Sequence, residues 1–198
     1  MVNLNRSVIR QVYVGCDWGF TNAGCLLAGA TDGEGRLYIV HQVYQTQKTI
    51  DWWIKQAKEI QEHFKPSVYI CDPAMPAYIL QFRVAGLPTV EADNDVEAGI
   101  QAVQQRLQVP DDGRPRLVVM KKSLAQPDPQ LVGKSRPTCL EEEIVSYQWF
   151  ETVPGKAAKE EPVKVDDHAV DALRYLCLYL DTLGRQKVPK SKQRAAIA

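Results

Sequence analysis

None of the five cysteines in this chain forms a C-x-x-C pair, and the three histidines stand far from them in sequence. That spacing excludes a zinc finger or ribbon, and an odd cysteine count argues against a disulfide-stapled scaffold. Reduced thiols in a cytosolic compartment are expected. No apolar run approaches the ~20 residues of a membrane helix, and residues 1–11 lack an apolar signal core. A soluble chain is expected. Lys+Arg and Asp+Glu are 24 each, so there is no overall basic excess and any polyanion must be met by a local patch. A phosphate-cradling glycine loop is also missing. The only similar string, Gly133, Lys134 and Ser135, lacks the upstream glycine and runs into Arg136 and Pro137.

What is present is ordinary for a globular domain: 198 residues, 45% hydrophobic, with 12 Gly and 12 Pro. Residues 12–17 alternate, with Val12, Val14 and Cys16 on one face and Tyr13, Gly15 and Asp17 on the other. Extended runs at 23–30 and 36–44 flank an Asp-Gly turn within 31–35, so three consecutive antiparallel strands are expected. Trp53, Ala57, Ile60 and Phe64 then recur at helical spacing, with Thr49 placed to cap and Pro66 beyond the end. A short buried strand over 67–72, a helix over 76–85 and a strand over 88–91 follow. Asp95 opens a helix with Val96, Ile100, Val103 and Leu107 on one stripe, and 116–120 is another strand candidate.

Residues 121–137 read as a polar, Pro-rich loop, 139–150 as a helix and 152–165 as extended or hairpin-like. The last helix runs from about Asp167 to Leu183, its apolar stripe carried by Ala169, Leu173, Leu176 and Leu180. These elements describe an α/β domain, a mixed sheet flanked by helices.

Asp17 and Asp72 share a peculiar setting. Each ends an apolar strand, follows a cysteine that points to the opposite face, and precedes a chain-breaker, Gly19 or Pro73. A partly desolvated carboxylate there is costly unless a cation pairs it, although an aspartate at a strand end can simply cap a turn. The sequence DDHAVDALRY at 166–175 adds three carboxylates within six residues. Helix capping accounts for Asp166 and Asp167. It does not account for Asp171, which lies at i+4 from Asp167 on one helical face. Asp17, Asp72, Asp167 and Asp171 are therefore the candidate metal ligands and catalytic residues, hard oxygen donors of the kind that Mg²⁺ or Mn²⁺ prefers. Such a cluster suits a two-metal site for phosphodiester displacement. His168 ranks below the acids as a nitrogen ligand.

The strings VGCDWG at 14–19, CDPA at 71–74 and above all DDHAVDALRY at 166–175 resemble the C-terminal nuclease domain of tailed-bacteriophage large terminases. NDVEAGI at 94–100 with Arg106 and Leu107, and residues 140–149, add to the likeness, which spans roughly residues 12–182. The resemblance implies an RNase H-like fold, with three antiparallel strands followed by parallel additions. It implies metal ligands on the first strand, at the end of the fourth strand and on the last helix. In related domains the third ligand varies between Asp and His, so Asp166, Asp167, His168 and Asp171 all stay open.

The implied activity is metal-dependent, largely sequence-nonspecific cleavage of concatemeric viral DNA during genome packaging in the host cytoplasm. The implied cofactors are two Mg²⁺ or Mn²⁺ ions. The implied partners are double-stranded DNA and, in a full terminase, a packaging ATPase domain, small terminase and portal, with no membrane. Residues 1–11 are then expected to be a linker remnant, 12–183 the nuclease domain, and 184–198 a basic, disordered tail.

DNA contact would fall to the local patch at 114–136, where Arg114, Arg116, Lys121, Lys122, Lys134 and Arg136 face a single acid, Asp128. Backbone contacts of this kind carry no sequence preference. A Holliday-junction resolvase is the rival within the same fold. Asp17 to Thr21 also resembles the first phosphate loop of actin and sugar-kinase domains, but no second Gly-rich loop follows. A non-catalytic RNase H-like scaffold is the third alternative.

Overall fold

The computed structural model describes residues 9–146 and 166–187. Three long strands come first, β1 (Ile9–Asp17), β2 (Gly24–Asp32) and β3 (Leu37–Gln45). They pair antiparallel in sequence order, joined between β2 and β3 by the expected turn. Helix α1 (Ile50–Phe64) leads to β4 (Tyr69–Cys71), α2 (Pro76–Val84) and β5 (Thr89–Glu91). Helix α3 (Val96–Leu107) precedes β6 (Leu117–Val119), the single-turn α4 (Pro129–Val132), α5 (Leu140–Ser146) and the 20-residue α6 (His168–Lys187). Strands β4, β5 and β6 all add parallel, giving the order β5-β4-β1-β2-β3-β6.

The alternation read in β1 separates two cores. Val14 and Cys16 join Leu26, Ala28, Trp53, Ala57, Ile60 and Phe82 on the side of α1 and α2. Tyr13 joins Leu27, Ile39, Ala172, Leu173 and Leu176 on the side of α6. Gly15 explains how closely α6 approaches. A Cβ there would lie 2.1 Å from the carbonyl oxygen of Ala172, so helix and strand backbones meet where only glycine fits. Burial in α6 is nearly continuous from Ala169 to Leu178, broken only by Asp171.

Three expectations change in detail. The 121–137 segment is not wholly loop: Asp128 caps α4, its carboxylate accepting from the Gln130 N–H at 2.8 Å, with Pro129 in the first turn where its missing N–H costs nothing. The same carboxylate accepts from the N–H and hydroxyl of Thr46 at 2.6 and 2.7 Å, so the one acid of the basic patch is buried structure. Strand β1 begins at Ile9, which places residues 9–11 in the sheet. Thr49 stands at the N-cap of α1 but caps with its carbonyl, not its hydroxyl. The expectations for 1–8, 147–165 (the end of the 139–150 helix and the extended 152–165 segment) and the tail beyond Lys187 lie outside the described residues.

Candidate active site

Parallel pairing sets Cys16 of β1 opposite Cys71 of β4. The next residue on each strand is a candidate carboxylate, and the Asp72 N–H donates to the Cys16 carbonyl at 2.9 Å. Asp17 and Asp72 thus sit side by side at the C-terminal edge of the sheet, where open α/β sheets carry their sites. Both are buried. Asp72 is fixed by the Ala74 N–H, which donates to its Oδ1 at 3.0 Å, and Trp18 Nε1 donates to its carbonyl at 3.0 Å.

Gly15 lets α6 pack on β1, and this brings the helix start to the same edge. His168 Nδ1 lies 2.9 Å from Asp17 Oδ2. Burial pushes the Asp17 carboxyl up to about 7, against the lowering effect of the His168 hydrogen bond and charge; the charges of Asp171 and Asp72 push it further up. His168 is itself raised. Burial opposes its charge, but the Asp17 contact and the charges of Asp17, Glu143 and Asp167 outweigh burial. Both shifts favour a proton shared between the two side chains.

The four positions left open at the helix start separate clearly. Asp166, with φ 52°, pairs with Arg136. Asp167 sits at the helix entry, its carbonyl accepting the Asp171 N–H at 2.7 Å. Asp171 bears on Asp17 through its charge while the buried Arg174 grips it, Nε and Nη2 each 2.9 Å from Oδ1. The structure brings Asp17, Asp72, His168 and Asp171 together, with the charge of Asp167 acting on His168; His168 is closer to the centre than its rank in the sequence suggested.

Among the described residues, no three His, Cys, Asp or Glu side chains stand at metal-ligand spacing. His168 is turned onto Asp17 and Asp171 onto Arg174. The donor chemistry nevertheless fits a hard divalent cation: three carboxylates with a neighbouring imidazole, one carboxylate so desolvated that it retains a proton near pH 7.

Sequence reasoning missed Glu143. It is fully buried in α5, burial pushes its carboxyl up to about 7, and it receives the Ala169 and Val170 N–H groups at the start of α6. The available signal was its place beside Leu140 and Ile144, two apolar positions that mark an inward helical face for a residue lying in an acidic run. Of the six basic residues, Arg116 pairs with Asp112 at 3.0 Å and Arg136 with Asp166, whereas Arg114, Lys121, Lys122 and Lys134 are exposed.

No protein-family model and no curated protein matches the chain. Solved structures do. The large terminase of a thermophilic bacteriophage, in complex with ATP-gamma-S, superposes with a TM-score of 0.66 at 24% identity, over 85% of this chain and 40% of that one. The chain thus spans about two fifths of that terminase's length. The nuclease domain of the bacteriophage SPP1 large terminase, solved with bound Mn, gives 0.60 at 13% identity, over 88% of this chain and 89% of that one. The P22 large terminase nuclease domain gives 0.58 at 15% identity, over 91% of each. Identities this low speak to architecture, and the architecture agrees over nearly the whole of the SPP1 and P22 domains: this chain has the RNase H-like α/β fold of the phage large terminase nuclease domain.

Proposed function

We propose that this chain is a divalent-metal-dependent endodeoxyribonuclease that cuts concatemeric phage DNA during genome packaging. The observation that carries the proposal is the pair Asp17 and Asp72 at the ends of neighbouring parallel strands, met by His168 and Asp171 from the start of α6. The SPP1 nuclease domain was solved with Mn, which supports a divalent cation here. Asp17, Asp72, Asp171 and Asp167 would supply oxygen ligands, with His168 beside them. When bound, a pair of Mg²⁺ or Mn²⁺ ions would polarise the scissile phosphate and activate the attacking water.

The chain's own side chains do the rest. Before metal arrives, the proton between Asp17 and His168 and the guanidinium of Arg174 on Asp171 limit repulsion among clustered carboxylates. His168 can hold or return a proton at Nδ1, 2.9 Å from Asp17 Oδ2. The exposed Lys121 and Lys122 would hold the DNA backbone without reading bases. A packaging ATPase domain, small terminase and portal as partners, and work in the host cytoplasm, belong to the same proposal. Among the described residues, no helix is long and apolar enough to cross a membrane.

Supercoiled plasmid tests the activity. Nicking and linearisation should require Mn²⁺ or Mg²⁺, show no sequence preference and stop in EDTA. Undiminished nicking in EDTA would overturn the proposal.

A further inference from the structure

Helix α6 carries two of the candidate site residues, His168 and Asp171, and its first turn is also held from another helix. Its N-terminal N–H groups have no partners within the helix. Asp167, immediately before it, takes the Asp171 N–H on its carbonyl at 2.7 Å, while Asp166 has φ 52° and is bound to Arg136. The hold from the other helix comes from Glu143, 26 and 27 residues away in sequence: its Oε2 accepts from the Ala169 N–H at 2.6 Å and from the Val170 N–H at 2.9 Å. Its other oxygen accepts the Tyr44 hydroxyl. Glu143 is 0% exposed and Tyr44 1%.

The sheet register gives this contact its significance. Asp17 pairs with Cys25 on β2, and Cys25 pairs with Tyr44 on β3, so Asp17 and Tyr44 lie on one line across three strands and on one face. From Tyr44 the chain of contacts passes to Glu143, into the first turn of α6, and through His168 back to Asp17 at 2.9 Å. The ring of His168 also lies 6.4 Å from that of Tyr44. A fully buried carboxylate tolerates no loosening, because each lost donor leaves charge unsolvated. Glu143 thereby ties the helix start to the sheet.

Resting on the nuclease proposal above, we propose that Glu143, with Tyr44, is the positioning residue that holds His168 and Asp171 against Asp17 and Asp72 for cation binding. It acts through α6 and touches neither substrate nor the reacting atoms.

Calorimetric titration of the metal-free protein with MnCl₂, together with amide hydrogen exchange, tests this. Glu143→Ala should weaken Mn²⁺ binding at least tenfold and raise exchange at Ala169 and Val170, while β1 and β2 stay protected. Glu143→Gln keeps an acceptor for the two N–H groups and should lose only about three- to fivefold. Tyr44→Phe should weaken binding in the same direction. Wild-type Mn²⁺ affinity in folded Glu143→Ala would overturn the proposal. If that variant does not fold, Glu143→Gln decides: a threefold loss or more supports it, and unchanged affinity overturns it. A wild-type protein that binds no Mn²⁺ would instead overturn the nuclease proposal itself, so the two failures are distinguishable.

Discussion

At the scale of single residues, Asp17 is a carboxylate that the fold has made reluctant to ionise. Its pKa of about 7 lies well above the ~3.9 of a free aspartate. Between those values the folded state holds a proton that the unfolded chain has released, so stability falls as pH rises through that window. His168, also raised, has the same sign: its contribution is present below its unfolded pKa and is lost as pH rises through the folded one. The melting temperature in EDTA should therefore drop between pH 5.5 and pH 8, and added Mn²⁺ should restore it. Asp17→Asn should abolish cleavage, flatten the drop and leave the metal-free protein at least as stable at pH 8. A fall of many degrees in Asp17→Asn would make Asp17 structural. Asp17, Asp72 and Asp171 were legible because strand ends, chain-breakers and i, i+4 spacing are local patterns. Glu143 was not: its significance lies in donors on a helix that begins some 25 residues later, a tertiary fact that spacing does not encode.

At the scale of elements, local rules succeeded where the local pattern also decided burial. The stripe of α1 buries Trp53, Ala57 and Ile60 as its spacing predicts, and Asp95 caps α3 through the Ala98 N–H at 3.0 Å. They fell short in 121–137, where high polarity concealed α4 because its cap is held from outside by Thr46. Burial alone would raise the Asp128 carboxyl, but the Thr46, Gln130 and Leu131 hydrogen bonds outweigh it and hold the pKa below the usual range. Its contribution is thus present above the unfolded value and is lost as pH falls through the depressed folded value, in a window below about pH 4. Asp128→Ala should cost about 1–3 kcal/mol at pH 7, from the lost cap and the orphaned Thr46 groups. The difference from wild type should shrink in strong acid, as urea melts at pH 7 and pH 3 would show. Equal melts at pH 7 would contradict this.

At the scale of the whole molecule, the sheet delivers Asp17 and Asp72 to one edge, while the exposed Lys121, Lys122 and Lys134 lie on the connection that follows β6 and Arg114 just before it. Net charge is zero, so the proposed DNA affinity would rest on a few cations. Removing Lys121 and Lys122 together should weaken binding equally for unrelated duplexes and reduce the salt slope by about two; a sequence-dependent loss would contradict backbone contact. Arg136→Ala should instead register in stability and in the seating of Asp166, since its guanidinium is engaged there. The sequence alone showed six bases together, but their ion pairs with Asp112 and Asp166 appear only in the folded chain. In the proposed nuclease, Asp17, Asp72 and the start of α6 form a divalent-cation centre. Anomalous diffraction at the manganese edge from crystals soaked in MnCl₂ tests it most directly. A manganese peak is expected between Asp17 and Asp72, with Asp171, Asp167 or His168 as a further ligand, and should be lost in Asp17→Asn. Manganese found only elsewhere, or a peak undisturbed in that variant, would contradict it.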